Sequence, residues 1–365
     1  MTVDFLDLRA AIEELRAETD EAIRHVLDGG RYVLGPEVEA FEREFAAFCG
    51  VRHCVGVGNG LDALQLLLRG LGIGPGDEVV VPAYTAVATW MAVTLVGATP
   101  VGADVDYTTW NVDAEHVAAA FTPRTKAIIA VHLFGQPAAM DPLVELAEGR
   151  GIAVIEDAAQ AHGARYHGRR VGGLAHGAAF SFYPTKNLGA LGDGGAITTD
   201  DDELADTVRR LRTYGWRERD VSELKGINSR LDEIQAGILR VRLRYLERWN
   251  SRRADIAGIY VAALADRVVI PAVPAWAEPV WYAFVIGAEH RNDVRRDLAE
   301  RGIGTLVHYF PLPHLTPAYR ADGWTEGSLP VAERLAATSI SLPLYPQLSE
   351  RACREVVAGV LAVCG

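Results

Sequence analysis

Short apolar runs alternate with amphipathic stretches through the first two-thirds of the chain. Residues 78–82 (EVVVP), 99–102, 127–133, 153–156, 178–182 and 195–199 read as buried strands, with amphipathic helices such as residues 61–71 and 141–150 between them. That rhythm predicts an α/β layer fold with a mostly parallel sheet. In such sheets ligands gather at the carboxyl ends of the strands, so residues just after each apolar run matter first. From residue 231 to residue 264 the apolar spacing turns helical, predicting one or two long helices that lead into a smaller C-terminal part. A strand over 281–286, a helix over 292–301 and a Pro-rich stretch over 310–317 follow.

With 365 residues, 49% hydrophobic and 23% charged, the chain is globular and can bury a large core. A net charge of −12 argues against a nucleic-acid partner, which selects a basic face. It leaves room for small anionic ligands. Cys49, Cys54, Cys353 and Cys364 form no metal-like CxxC pair and read as reduced thiols of a cytoplasmic enzyme. The acidic, amphipathic N-terminus does not read as a signal peptide. No apolar run reaches the ~20 residues of a membrane span.

The chain holds only three lysines, Lys126, Lys186 and Lys225, among 36 Lys and Arg. Arginine cannot form a Schiff base at neutral pH, so each lysine is of interest. Lys186 lies in FSFYPTKNLGALGDGG, between a buried-looking strand and a glycine-rich stretch, with Ser181 five residues earlier. Partial burial there would lower its pKa and free the amine, although a surface loop lysine fits the same local sequence. In VIEDAAQAHGA, Glu156 and Asp157 end an apolar strand. A carboxylate buried there needs a cation or donors, and a protonated pyridine nitrogen is one such cation; a helix-capping acid is the plainer alternative. In GVGNGLDALQLLL, glycines run straight into an apolar helix and leave free N–H groups for an anion. The third glycine of a dinucleotide fingerprint is replaced by Leu61, and no GK[ST] follows, which excludes the nicotinamide and P-loop readings. In KGINSRLDEIQ, Asn228 and Arg230 precede the long helix, as an ordinary helix start or as anion contacts.

Together these segments resemble the DegT/DnrJ/EryC1/StrS family of nucleotide-sugar aminotransferases, in the order NGLDAL, GDEVVVPAYT, EDAAQAHGA, SFYPTKNLGALGDGG, GINSRLDEIQA. The resemblance runs from VDFLDL to HYFPLPHL, essentially the whole chain. It implies an aspartate-aminotransferase-like (type I) fold, with a large mixed-sheet domain over 1–248 and a small C-terminal α+β domain over 249–365. It also implies a homodimer with shared active sites. The implied cofactor is pyridoxal 5'-phosphate (PLP), passing through its pyridoxamine form (PMP). Lys186 would be the Schiff-base lysine and proton carrier, and Asp157 the partner of the pyridine nitrogen. Gln160 would lie against the ring, and Gly60, Leu61 and Ser181 would hold the phosphate. Asn228 would reach the phosphate of the partner subunit's cofactor.

One position departs from the family pattern of P-S-x-T followed by an aromatic: Pro82-Ala83-Tyr84-Thr85-Ala86 ends in alanine. Either Tyr84 covers the ring from nearby or the ring lacks aromatic cover. The NSRLDE form resembles members that aminate C3 of a dTDP-3-keto-6-deoxyhexose with L-glutamate as donor. A C4-directed nucleotide-sugar enzyme, an inositol-type ketone acceptor and a PLP-binding regulator without turnover are the alternatives. Lys225 and Arg230 are candidate diphosphate contacts. His308, Tyr309 and His314 are candidates for the sugar end, in a stretch that otherwise reads as an ordered surface loop.

Overall fold

A computed structural model describes residues 2–364. Its strands, in chain order, are β1 (His53–Val57), β2 (Glu78–Pro82), β3 (Thr99–Ala103), β4 (Thr125–Val131), β5 (Ala153–Asp157), β6 (Arg165–Tyr166), β7 (Arg169–Arg170), β8 (Gly177–Ser181), β9 (Gly195–Thr199), β10 (Trp216–Glu218), β11 (Val221–Ser222), β12 (Ala277–Glu278), β13 (Phe284–Gly287) and β14 (Ser339–Leu342). Seven form one sheet in the order β1-β9-β8-β5-β4-β2-β3. β9 runs antiparallel to both β1 and β8, while the other pairs are parallel, so the sheet is mixed as expected.

Strand alternation divides the core in two. Val79, Val81, Ile129, Ile155 and Ile197 enter one apolar cluster, while Val80, Ile128, Val154, Phe180 and Ala196 enter the other. With both faces covered, the strands need apolar residues at every position, which is why they read as unbroken runs. β1 escapes that reading because its five residues, HCVGV, are few and interrupted by glycine. Leu133, expected in β4, instead enters a short 3-10 turn over Leu133–Gly135.

The helical stretch becomes two helices, Glu233–Leu243 and Leu246–Leu264. β13 and β14 pair antiparallel under the helices Leu246–Leu264, Arg291–Glu300 and Glu350–Cys364, around Tyr260, Phe284, Ile286, Leu298, Ile340 and Val356. Residue 249 lies inside the first of these helices. Val3 joins this smaller cluster, and Leu312, Tyr319, Leu329 and Leu335 join a cluster of the large sheet, so the two parts interlock. No described helix is long and apolar enough to cross a membrane.

Two helices begin without a polar capping residue and borrow a carboxylate from far along the chain. Pro36–Cys49 starts after Gly35, and the Glu233 side chain accepts from the N–H groups of Gly35 (2.7 Å), Glu37 (2.9 Å) and Val38 (3.0 Å). Pro330–Thr338 starts after Leu329, and Asp104, just beyond β3, accepts from Val331 (2.9 Å) and Ala332 (2.7 Å). Each carboxylate satisfies orphan donors and meets the positive helix end. Glu233→Ala strands three buried donors, so it should lower stability by about 3 kcal/mol. Urea unfolding at fixed protein concentration checks this; a midpoint unchanged from wild type would refute the capping role.

Candidate active site

The carboxyl end of β5 brings Asp157 between β4 and β8, where it is 6% exposed. One carboxylate oxygen accepts from the Thr89 hydroxyl at 2.9 Å and the other from the Ala159 N–H at 3.2 Å. Thr89 is itself bonded to the Thr85 hydroxyl at 2.8 Å. Burial raises the Asp157 carboxyl above its usual range, against the opposing pull of these bonds and of the Lys186 and His132 charges. Its neighbour Glu156 points to the opposite face, as strand alternation requires. There it accepts from Gly172 (2.9 Å) and Leu174 (2.8 Å) and bonds His132 at 3.0 Å. Of the two acids, only Asp157 lacks a full set of donors.

Lys186 sits half-buried in the turn after β8, its N–H donating to the Tyr183 carbonyl at 2.8 Å. The turn is clamped on both sides. Asn187 donates to Asn250 (2.9 Å) and to the Val280 carbonyl (2.8 Å), while a Cβ on Gly189 would meet the Pro184 carbonyl at 2.6 Å. The Lys186 ammonium stands 4.4 Å from the centre of the Tyr282 ring. Burial, with the Lys186 charge, lowers His308 to about 4 and His162 to about 3, so both rings are neutral beside the amine.

The helix Gly60–Gly70 opens against the ends of β8 and β9. Asn59 caps it by accepting from Asp62 at 2.8 Å. A Cβ on Gly60 would lie 2.8 Å from that of Ser181, and one on Gly195 would lie 2.4 Å from the Asn59 carbonyl. Glycine at these two positions is therefore what lets the helix start reach the strand ends. The Gly60 and Leu61 N–H groups precede any intrahelical acceptor, and the Ser181 hydroxyl accepts from Tyr183 at 3.3 Å while its own hydrogen stays available. A carboxylate awaiting a cation, a helix start beside a strand-end hydroxyl, and an amine nearby fit a phosphorylated pyridinium with an aldehyde.

Gln160 accepts from the Phe134 N–H (2.6 Å), which turns its amide nitrogen toward the Tyr309 hydroxyl (2.6 Å). His308 bonds Ser341 at 2.7 Å and, with Tyr282, Thr185 and Arg253, lines a cleft of about 430 Å³. A wider groove of about 580 Å³, lined by Asp77, Lys126 and His176, opens at the amino ends of the strands, the end of a parallel sheet where ligands do not gather.

Two expectations fail. Tyr84 is 1% exposed, wedged between Trp110 and Phe134 with its hydroxyl on the His308 carbonyl at 2.7 Å, so it offers no open face to a ring. His314 is wholly buried beside Trp90 and Trp324 and bonds Glu333 at 3.1 Å; it belongs to the packing, not to a sugar pocket. Asn228 and Lys225 are exposed, and Arg230 is half-buried, its guanidinium 5.9 Å from the Tyr214 ring. Ser229, next to Asn228, accepts from the Gly58 N–H at 2.9 Å and donates to Asp62 at 2.5 Å, which ties that loop to the helix start. The sequence reading misses Thr89, which bonds Asp157, and Tyr282 and Arg253, which line clefts beside Lys186, because only the fold brings them there.

A profile of the DegT/DnrJ/EryC1/StrS aminotransferase family matches residues 13–361. An enzyme of Streptomyces venezuelae, dTDP-3-amino-3,4,6-trideoxy-alpha-D-glucose transaminase, is 54% identical over 361 residues, covering 98% of this chain and 95% of its own. The X-ray structure of S. venezuelae DesV in complex with a ketimine intermediate matches with a TM-score of 0.97 at 53% identity, over 98% of this chain and 97% of that one. NtdA from Bacillus subtilis, with bound cofactor PMP, matches with a TM-score of 0.93 at 31% identity, over 100% of this chain and 85% of that one.

The state of Asp157 has a measurable consequence. A carboxyl whose folded pKa is raised contributes stability that is present below the unfolded value of 3.8 and is lost as pH rises through the folded one. Asp157→Asn should therefore stabilise the cofactor-free protein near neutral pH, with the advantage shrinking as pH falls. Thermal melts between about pH 4 and about pH 8 test this; an advantage that does not change with pH would contradict it.

Proposed function

Because the chain belongs to the DegT/DnrJ/EryC1/StrS aminotransferase family and is a transaminase, we propose that it uses PLP to move an amino group from L-glutamate to C3 of a dTDP-3-keto-6-deoxyhexose, working as a cytoplasmic homodimer with shared active sites. The observation that carries the cofactor reading is Asp157: a carboxylate buried at a strand end, held by two donors, with the Lys186 charge nearby. The C3 reading is supported by the name of the S. venezuelae enzyme, which is that of a dTDP-3-amino sugar transaminase.

When bound, PLP supplies the electron sink that acidifies the donor α-hydrogen and stores the amino group. The chain does the rest. Asp157, oriented by Thr89 and Ala159, would pair with the ring nitrogen and keep it protonated. The Gly60 and Leu61 amides and the Ser181 hydroxyl receive the phosphate at the helix start. Gln160, its oxygen fixed by Phe134 and its nitrogen donating to the Tyr309 hydroxyl, would lie against the ring. Lys186 is the covalent attachment point in the resting enzyme. Freed as an amine, it carries the proton to and from the donor α-carbon. Tyr183 and Asn187 fix the turn from which it reaches. Asn228, exposed on one protomer, completes the phosphate site of the other. Lys225 and Arg230 supply positive charge to the diphosphate, and His308 and Tyr309 border the sugar.

The purified protein should be yellow, and borohydride should bleach that colour while fixing the cofactor to the chain. Lys186→Ala should lose that fixation; covalent PLP surviving in the variant would sink the assignment. L-Glutamate should shift the absorbance to that of the pyridoxamine form, and no shift would favour a regulator over an enzyme. Incubated with 2-oxoglutarate, the enzyme should deaminate 3-amino dTDP-sugars in preference to their 4-amino isomers; the opposite preference would overturn the C3 reading.

A further inference from the structure

Residues 307–311 carry His308 and Tyr309 between two seated ends. At one end Leu306 pairs with Ser341, N–H to carbonyl in both directions (3.2 and 2.8 Å). At the other, Leu312 is 1% exposed in a cluster of the large sheet. Between them the side chains reach outward. His308 bonds the Ser341 hydroxyl at 2.7 Å, the Tyr309 hydroxyl accepts from Gln160 at 2.6 Å, and the Phe310 ring centre lies 4.6 Å from the Arg291 guanidinium. The backbone has far less. Among the described residues its one recorded hydrogen bond is at the His308 carbonyl, which accepts from the Tyr84 hydroxyl at 2.7 Å. Tyr84 is an immobile donor. It stands two residues past β2, after Ala83, whose N–H donates to the Ala103 carbonyl at 2.8 Å. Its ring is 1% exposed, with the rings of Trp110 (6.1 Å) and Phe134 (5.9 Å) at its sides. Burial pushes the phenol pKa far up, so the hydroxyl keeps its proton and remains a donor.

We propose that Tyr84 is a positioning residue for the amino acceptor: its hydroxyl holds the backbone that presents His308 and Tyr309 to the keto-sugar. The inference rests on the reading above in which those two side chains border the sugar, and adds what keeps them there. A segment with a single backbone hydrogen bond has little of its own to fix it, and a misplacement of about 1 Å at a reacting substrate can cost roughly 100-fold in rate. A buried phenol just past a strand end ties one atom of that segment to the sheet. The next residue serves the cofactor side, since Thr85 bonds Thr89 (2.8 Å), whose hydroxyl donates to Asp157 (2.9 Å). Two neighbouring side chains of one turn thus orient the two sides of the site separately. A tyrosine present only for packing would be replaceable by phenylalanine without effect. A hydroxyl that served only stability would slow donor and acceptor alike.

Those contrasts set the experiment. Tyr84→Phe removes the hydroxyl and keeps the ring. Holoenzyme of the variant is followed through each half-reaction by cofactor absorbance. Starting from the pyridoxamine form, kcat/KM for the dTDP-keto-sugar should fall roughly tenfold. With glutamate it should stay within about threefold of wild type. Equal losses in both halves, or no loss with the keto-sugar, would overturn the proposal. Crystals of the wild-type holoenzyme give a test that does not depend on the variant folding. The Tyr84 hydroxyl is expected on the His308 carbonyl; a hydroxyl turned to another partner, such as Ser339, refutes the anchor. A wild type that converts with glutamate but takes no keto-sugar would sink the sugar reading, and the same crystals would still decide whether Tyr84 holds the segment.

Discussion

Asp157 is taken out of water at the end of β5 with one hydroxyl and one N–H as donors, and the organisation of the pocket follows from that shortage. Its burial raises the energy of its ionised form, so the pocket is poised for a cation. Thr89 matters because it aims the carboxylate, and Thr85 because it holds Thr89. The neighbouring elements bring the other contacts to the same end of the sheet: the Gly60 helix start, the Ser181 hydroxyl and the Lys186 turn all stand at or beside the ends of β8 and β9. A binding site of this kind trades stability of the empty protein for affinity toward what fills it.

Rigidity is imposed from outside the pocket. Asn250 and Val280, from the far side of the chain, clamp the residue after Lys186, and Glu233 and Asp104 seat two helices whose own starts carry no cap. Each of these contacts spans distant sequence. The large sheet and the smaller part are thereby fixed to one another around the cleft, and a catalytic amine held this way keeps its reach.

Much of this was legible in the sequence because it depends on local signals. Apolar runs marked the sheet, the glycines before Leu61 marked a helix start with free donors, and the scarcity of lysine singled out Lys186. The family resemblance drawn from the ordered motifs is borne out across residues 13–361. What escaped reading depends on contacts made only after folding. Nothing local says that Tyr84 lies sealed between Trp110 and Phe134, or that His314 answers Glu333 within a tryptophan cluster. Nothing in RRAD says that Arg253, rather than Arg252, is the buried one, since both lie on a helix with weak amphipathic contrast.

The paired acids Glu156 and Asp157 also bear on how the chain reaches this fold. Alternation sends one to each face of the sheet, and only the Glu156 face holds three donors within reach. If β5 slipped by one residue, either Ile155 would replace Glu156 and strand the donors of Gly172, Leu174 and His132, or Ala158 would replace Asp157 and leave the pocket without a carboxylate. A mis-threaded strand thus loses either buried hydrogen bonds or the pocket's carboxylate, depending on the direction of the slip. The acid pair acts as a fidelity mark for the strand as well as a part of its chemistry.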